Sequence, residues 1–198
     1  RESGLIGTVE TRIGDEVVAS KRTTPESSDL QALSAVMRER HMRNLVMEVS
    51  SHAIALERIR GSHFSVVAFT NLSQDHLDFH KSMDDYFAAK SKLFTFEFAD
   101  LAVINIDDPF GVRLAEMATT RGQRVLRVGR DPSADLRIRA TRFDADGQDL
   151  RFEWQGASHV SRLGLIGGFQ AGNALLAAGL AIGCGAPPND VFAALEQL

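Results

Sequence analysis

The sequence is poor in the features that mark secreted, membrane-spanning and nucleic-acid-binding proteins. Its only cysteine, Cys184, has no partner for an internal disulfide. No run of about 18 apolar residues is long enough to cross a bilayer. Lysine and arginine are scattered and the formal net charge is −4, so the chain lacks a basic surface for a nucleic-acid backbone. These absences favour a cytoplasmic protein whose partners are small molecules, with no nucleic acid and no membrane among them.

The sequence also lacks a complete phosphate-binding loop, since neither G-x-x-x-x-G-K-[ST] nor G-x-G-x-x-G occurs in the 198 residues. Gly167-Gly168 precedes a predicted helix, and such a pair either contributes to phosphate binding or simply turns a loop into a helix. The chain begins at Arg1 without an initiator methionine and stops at Leu198 inside a predicted helix. We therefore expect a fragment with further chain on both sides.

What the sequence does contain is an alternation of apolar strands and amphipathic helices. The pattern predicts strands over residues 44–49, 63–70, 101–106 and 124–128, and helices over residues 29–40, 51–59, 83–98, 109–120 and about 171–182. This alternation is typical of an α/β fold with a mostly parallel sheet flanked by helices. Two extended runs within residues 4–20 surround Gly14-Asp15, which predicts a β-hairpin ahead of the alternation.

The pattern changes in the last third of the chain. Residues 136–143 and 149–154 alternate polar with apolar side chains on either side of Asp146-Gly147, as an antiparallel hairpin does. We expect a small antiparallel β-subdomain over about residues 131–165. It would lie within one domain that covers residues 1–198.

The first candidate for chemistry follows the first predicted parallel strand. Ligands bind beyond the carboxyl ends of such strands, and Glu48, Ser50 and Ser51 come directly after the apolar run 45–47. The serines are accounted for if one of them caps the next helix. Capping does not account for Glu48, because a buried carboxylate is costly unless it is paired or bound to a cation.

The second candidate is the segment of residues 70–80, which follows the next predicted strand. It contains two carboxylates and two histidines within six residues: Asp75, His76, Asp78 and His80. These residue types bind metal ions, but most surface runs of aspartate and histidine are solvated loops. Spacing alone leaves both interpretations open.

The third candidate is Lys90, because of its place on a predicted helix. It recurs at helical spacing with Tyr86 and Phe94 in an apolar stripe, whereas Lys92 points the opposite way. The lysine either extends its ammonium to water while its stem packs on the core, or is desolvated so that a neutral, reactive amine forms.

Four segments read together resemble the central domain of the Mur ligase family. They are Thr23-Thr24-Pro25, M-E-V-S-S-H-A at residues 47–53, T-N-L-S-Q-D-H-L-D-F-H at residues 70–80 and Y-F-A-A-K at residues 86–90. The similarity covers nearly the whole chain. The E-V-S-S-H motif resembles the corresponding segment of one branch of the family, which adds the third amino acid to a peptidoglycan precursor.

This resemblance implies an ATP-dependent ligase that adds diaminopimelate or lysine to UDP-N-acetylmuramoyl-L-alanyl-D-glutamate. The precursor's carboxylate would attack the γ-phosphate of ATP, and the incoming amine would then displace phosphate from the acyl phosphate. The chain would be the middle, ATP-binding domain without its upstream phosphate loop. A UDP-binding domain would precede it and an amino-acid-binding domain would follow, so the fragment alone is expected to be inactive.

The resemblance also implies roles for individual residues. A magnesium site would be assembled by Glu48, His76 and Lys90, with Lys90 carboxylated to a carbamate in the full-length enzyme. The muramoyl-peptide substrate would be contacted by Thr23, Thr24, Ser50 and Arg58. Asn173 would approach the adenine of ATP.

The chain departs from the family pattern at two places. Leu56 stands where some relatives have a glutamine that contacts the substrate, which is expected to alter the grip on that substrate. Residues 168–170 read Gly-Phe-Gln where the family has Arg-Phe-Asn.

Two rival functions belong to other classes. A metal-dependent hydrolase would use Asp75, His76, Asp78 and His80, and would need further ligands at other strand ends. A non-catalytic nucleotide- or peptide-binding module would fit the missing phosphate loop. A G-K-[ST] loop in upstream sequence would support the ligase, and its absence would support the module.

Overall fold

The computed structural model describes residues 2–73 and 79–198. The chain divides into two compact units. The first comprises Arg1–Ser62 and His76–Lys92, and the second comprises His63–Asp75 and Leu93–Leu198.

The first unit contains a four-stranded sheet in the order β3-β2-β1-β4. The strands are β1 (Ser3–Ile6), β2 (Glu10–Ile13), β3 (Glu16–Ala19) and β4 (Asn44–Met47). Strand β1 pairs antiparallel with β2 and parallel with β4. The predicted hairpin is confirmed as β2 and β3, joined at Gly14, whose φ of 64° favours glycine. The first extended run is split into β1 and β2 by a turn in which Gly7 N–H donates to Glu10 O.

Strand β4 differs from the prediction, which made it a buried strand. It lies last in the order of the described sheet and pairs only with β1. Its apolar side chains Leu45 and Val46 are 38% and 54% exposed. An apolar run indicates a fully buried strand only when neighbours cover it, and here β4 is an edge strand.

The described part of the first unit also contains the helices α1 (Ser27–Glu39), α2 (Ser51–Ala55) and α3 (Met83–Ser91). Helix α1 buries Leu30 and Met37, and the Met37 sulfur lies so close to Gly4 that a Cβ there would be only 2.4 Å away. Helix α3 ends seven residues before the predicted boundary at residue 98, because the chain turns at Thr95, whose carbonyl accepts from Phe98 N–H.

The second unit contains a six-stranded sheet in the order β10-β9-β8-β7-β6-β5. Its strands are β5 (Phe64–Phe69), β6 (Ala99–Asn105), β7 (Arg124–Gly129), β8 (Leu136–Asp144), β9 (Gly147–Trp154) and β10 (Ala157–Leu163). Strands β5 to β8 pair in parallel and β8 to β10 antiparallel. This confirms the predicted α/β class with antiparallel strands after the parallel ones. Because Val128 of β7 pairs with Leu136 of β8, the antiparallel strands continue the same sheet.

Helices α4 (Pro109–Thr120), α5 (Gln170–Gly183) and α6 (Pro188–Ala194) belong to the second unit. Apolar side chains of β6 to β10, α5 and α6 form its core, including the fully buried Phe152. Helix α5 approaches β6 closely, since a Cβ on Gly179 would lie 2.7 Å from Val103. None of the helices in residues 2–73 and 79–198 has both the length and the apolar character of a membrane span.

Candidate functional site

The turn from β4 to α2 carries the first predicted site residues. Ser50 caps α2, because its hydroxyl accepts from Ala53 N–H at 3.2 Å. Glu48 directly follows β4 and is exposed. The sequence pattern predicted that the Glu48 carboxylate is buried, because it predicted that β4 is a buried strand. This expectation was wrong, since β4 is an edge strand of the described sheet. An exposed carboxylate remains accessible to a ligand.

Thr24 joins this turn to the loop of residues 23–25. Its hydroxyl donates to Glu48 O at 2.9 Å and accepts from Ser50 N–H at 3.1 Å. Only 1% of Thr24 is exposed, whereas Thr23 beside it is partly exposed. Two of the predicted substrate residues, Thr24 and Ser50, are thus in direct contact.

Arg58 joins the same cluster from the segment after α2. Its Nη1 donates to Thr24 O at 3.3 Å, and its Nη2 lies 3.0 Å from Glu26 Oε1. The side chain is 14% exposed. Glu26 also pairs with Arg22, so one carboxylate serves two guanidinium groups. The structure therefore brings the predicted substrate residues together, and adds Glu26, which the sequence patterns did not single out.

Thr8, in the turn between β1 and β2, is a second residue that sequence reasoning missed. Its backbone N–H donates to Glu48 Oε2 at 2.9 Å, and its hydroxyl donates to the same oxygen. The Thr8 hydroxyl also lies 3.1 Å from the Thr23 hydroxyl. Thr8 thus links the predicted metal ligand Glu48 to the predicted substrate residue Thr23. We use the name loop cluster for Thr8, Thr23, Thr24, Glu26, Glu48, Ser50 and Arg58.

Lys90 lies near the end of α3 and is partly buried. Its Nζ is 5.3 Å from the centroid of the Tyr86 ring, close enough for a cation–π contact. Tyr86 is buried and stacks on His80, with 4.8 Å between ring centroids. Lys92 is exposed. The predicted difference in environment between the two lysines is therefore present.

His80, a metal ligand in the hydrolase hypothesis, is 3% exposed. Its Nε2 lies 2.9 Å from the hydroxyl of buried Ser51, and its Nδ1 lies 3.8 Å from Asp85 Oδ2. Both ring nitrogens thus face protein groups in a packed interior, which gives His80 a structural role between α2 and α3.

The remaining predicted ligands of that segment, Asp75, His76 and Asp78, lie outside the described residues. Within residues 2–73 and 79–198, no three histidine, cysteine, aspartate or glutamate side chains are grouped so that they could hold a metal ion.

Asn173 lies in the first turn of α5, in the second unit, and is exposed. Its Nδ2 is 3.3 Å from Gln170 Oε1. The loop before the helix is held by Gln148, which is fully buried and whose Nε2 donates to the carbonyls of Leu165 and Gly167. The predicted adenine residue is thus on a helix whose entry is anchored by a buried amide.

The sequence of this chain is similar to those of known ligases. The profile of the Mur ligase middle domain matches residues 1–181. The chain is 45% identical over 180 residues to the UDP-N-acetylmuramoyl-L-alanyl-D-glutamate--2,6-diaminopimelate ligase of Streptomyces avermitilis, which covers 89% of this chain and 35% of that protein. Identity to the ligase of the same name from Aquifex aeolicus is 40% over 195 residues, covering 98% of this chain and 39% of that one.

A solved structure of a UDP-N-acetylmuramoyl-L-alanyl-D-glutamate--2,6-diaminopimelate ligase has the same fold. It superposes with a TM-score of 0.90 over 99% of this chain and 40% of its own chain, at 23% sequence identity. The chain spans about a third to two-fifths of the length of these proteins.

Proposed function

The chain belongs to the Mur ligase family as a middle domain, and on this premise we propose that it is the ATP-binding part of an amide-bond ligase. The substrate would be UDP-N-acetylmuramoyl-L-alanyl-D-glutamate, and the amino acid added would be diaminopimelate. The names of the two curated relatives support both substrates. The reaction belongs to the cytoplasm, where ATP and nucleotide-linked precursors are available.

The observation that carries this proposal is the convergence of the loop cluster. Thr23, Thr24, Ser50 and Arg58 come from three separate stretches of sequence, and hydrogen bonds bring them together around the end of β4. Hydroxyl groups and a guanidinium are suited to a substrate that carries carboxylates and amide groups. We propose that the muramoyl peptide binds at this cluster.

Glu48 fits a ligand of Mg²⁺, because it is an exposed carboxylate and hard oxygen donors are the ligands that Mg²⁺ takes in proteins. His76 and a carboxylated Lys90 would complete the set. Bound Mg²⁺ would neutralise the phosphate charge that develops during phosphoryl transfer. The two hydrogen bonds from Thr8 hold the Glu48 carboxylate in one orientation, which preorganises it for a cation.

In the proposed reaction, the loop cluster holds the precursor so that its terminal carboxylate can attack the γ-phosphate of ATP. ADP leaves, and the amine of diaminopimelate then attacks the acyl carbon of the acyl phosphate. The C–O bond to phosphate breaks, phosphate leaves, and the nitrogen loses a proton. We assign Asn173 to the adenine, since its exposed amide can both donate and accept.

The hydrolase alternative has less support in the described residues. It requires His80 as a metal ligand, whereas His80 is buried against Ser51 and Tyr86.

Product formation by the full-length protein tests the proposed function. The protein is incubated with the UDP-dipeptide precursor, Mg²⁺-ATP and either diaminopimelate or lysine, and products are identified by mass spectrometry. We expect a UDP-tripeptide that contains diaminopimelate, together with one ADP per product. Hydrolysis of the precursor without consumption of ATP would refute the proposal.

A further inference from the structure

Thr24 is the most deeply buried member of the loop cluster. A hydroxyl has one proton, and the Thr24 proton is directed to Glu48 O while its oxygen accepts from Ser50 N–H. With 1% of the residue exposed, a ligand cannot reach the side chain without displacing protein groups. The Thr24 side chain is therefore fully engaged by the protein itself.

The two backbone groups bound by Thr24 lie on either side of Val49. They belong to the residue that directly follows β4 and the residue that caps α2, so a single hydroxyl closes the turn between these elements. The side chains of Glu48 and Ser50 extend from the positions that this hydroxyl fixes. Buried hydrogen bonds of this kind fix a backbone geometry because leaving either partner unpaired is costly.

The carbonyl group of Thr24 makes the third connection, since it accepts from Arg58 Nη1. Thr24 thus contacts the backbone of Glu48, the backbone of Ser50 and the side chain of Arg58. Thr23 differs from Thr24, because it is partly exposed. Its hydroxyl forms a hydrogen bond with the hydroxyl of Thr8, which is exposed.

We propose that Thr24 is a positioning residue, whose hydroxyl acts on the precursor only by holding the β4–α2 turn and Ser50 in their binding geometry. Thr23, one position earlier, contacts the precursor directly. This assignment rests on the proposed function, because one of the two measurements that test it is the affinity for the precursor. The second readout, the protection of the Ser50 amide, needs no ligand.

The experiment compares four variants of the full-length protein: Thr24→Val, Thr24→Ser, Thr23→Val and Thr120→Val. Valine keeps the branched shape and removes the hydroxyl, whereas serine keeps the hydroxyl. Thr120 is an exposed residue of α4 whose hydroxyl donates to Glu116 O, so it controls for loss of an ordinary threonine hydrogen bond. Hydrogen exchange at the Ser50 amide is measured without ligand, and precursor affinity by calorimetry.

Thr24→Val should accelerate exchange at the Ser50 amide and weaken precursor binding by about tenfold, since a buried N–H and a carbonyl lose their partner. Thr24→Ser should retain both the protection and the affinity within about threefold, because both hydrogen bonds can form. Thr23→Val should weaken precursor binding while leaving the Ser50 amide protected. Thr120→Val should change neither readout.

Two results on precursor binding would overturn the assignment. One is a Thr24→Val protein that exchanges faster at Ser50 and still binds the precursor with wild-type affinity. The other is a folded Thr24→Ser protein that keeps the Ser50 amide protected but binds at least about tenfold more weakly, because direct contact would then require the methyl group. The second result is decisive even where Thr24→Val fails to fold. Failure of every protein, wild type included, to bind the precursor refutes the proposed function, and unchanged exchange in Thr24→Val refutes the positioning role by itself.

Discussion

The Arg58 guanidinium is held by the Glu26 carboxylate, with 3.0 Å between Nη2 and Oε1. Its other terminal nitrogen donates to Thr24 O at 3.3 Å, so the fork of the guanidinium is oriented by two separate acceptors. A lysine carries the same charge but cannot keep both contacts in one plane.

Replacement of Arg58 tests its role toward the precursor. Arg58→Lys in the full-length protein should raise KM for the UDP-precursor about tenfold, which corresponds to the loss of one charge-assisted hydrogen bond, and should change KM for ATP much less. Steady-state kinetics with each substrate varied in turn measures the difference. Arg60→Lys is the matched control, since Arg60 is an exposed residue paired with Glu57. Equal increases in both KM values would indicate a general loss of stability instead.

Glu26→Gln should act in the same direction as Arg58→Lys, with a smaller effect. The amide keeps an acceptor for Nη2 but removes the negative charge that orients the guanidinium. The double variant should lose no more than Arg58→Lys alone if Glu26 acts only through Arg58. Additive effects in this cycle would give Glu26 an independent role.

The magnesium assignment predicts a cation-dependent defect at Glu48. Glu48→Ala, and likewise His76→Ala, should lower turnover at limiting Mg²⁺, and high Mg²⁺ should restore part of it. Thr8→Val should show a milder form of the same dependence, because the backbone N–H still holds the carboxylate after the hydroxyl is removed. The readout is the apparent Mg²⁺ constant together with direct cation binding by calorimetry. If Glu48→Ala kept wild-type turnover and cation affinity at limiting Mg²⁺, Glu48 would not be a ligand of the metal ion.

Lys90 is expected to be carboxylated in the active full-length enzyme. A carbamate replaces a cation by an anion with hard oxygen atoms, which suits a neighbouring Mg²⁺. Lys90→Ala should abolish most activity, and small carboxylic acids should restore part of it by occupying the vacated space. Lys92→Ala, at an exposed position, should have little effect. Mass spectrometry or ¹³C labelling that shows an unmodified lysine in the active, magnesium-loaded enzyme would contradict the assignment.

The pair of Asp144 and Arg162 predicts an acid dependence of stability in the second unit. Hydrogen bonds from the Arg162 side chain lower the pKa of Asp144 from 3.8 to about 2. A lowered carboxyl pKa means that the unfolded chain binds the proton first, so the contribution of this pair is present above pH 3.8 and is lost as the pH falls through about 2.

Arg162→Gln should therefore reduce the steepness of the acid dependence of the unfolding free energy in this window. Denaturant titrations at several acidic pH values measure it, with Arg151→Gln as a matched control on the neighbouring strand β9. An unchanged slope in Arg162→Gln would exclude the pair as a source. The effect should be small, because both groups are exposed to solvent.

Much of the fold could be predicted from apolar periodicity, because strands β5 to β7 and helices α4 and α5 carry the patterns that their burial requires. Strand β4 shows where this fails. Its apolar run is the same as that of a buried strand, but burial depends on which strands lie beside it, and sequence periodicity does not contain that information.

The candidate site was predictable only in part. Residues in recognisable segments, such as Thr24 and Ser50, could be proposed as site residues from the motifs that contain them. Thr8 and Glu26 were missed because their roles come from contacts across the fold, as with the Thr8–Glu48 hydrogen bond between residues 40 positions apart. A threonine in a predicted hairpin carries no local signal that it will orient a distant carboxylate.

The most direct test of the central claim follows oxygen from the precursor carboxylate. The full-length enzyme is given UDP-N-acetylmuramoyl-L-alanyl-D-glutamate with ¹⁸O in its terminal carboxylate, Mg²⁺-ATP and diaminopimelate, and the released inorganic phosphate is analysed by mass spectrometry. Attack of that carboxylate on the γ-phosphate places one ¹⁸O atom in each phosphate, with ADP as the other nucleotide product. Tripeptide formation with unlabelled phosphate, or release of phosphate without the precursor at the same rate, would contradict the account.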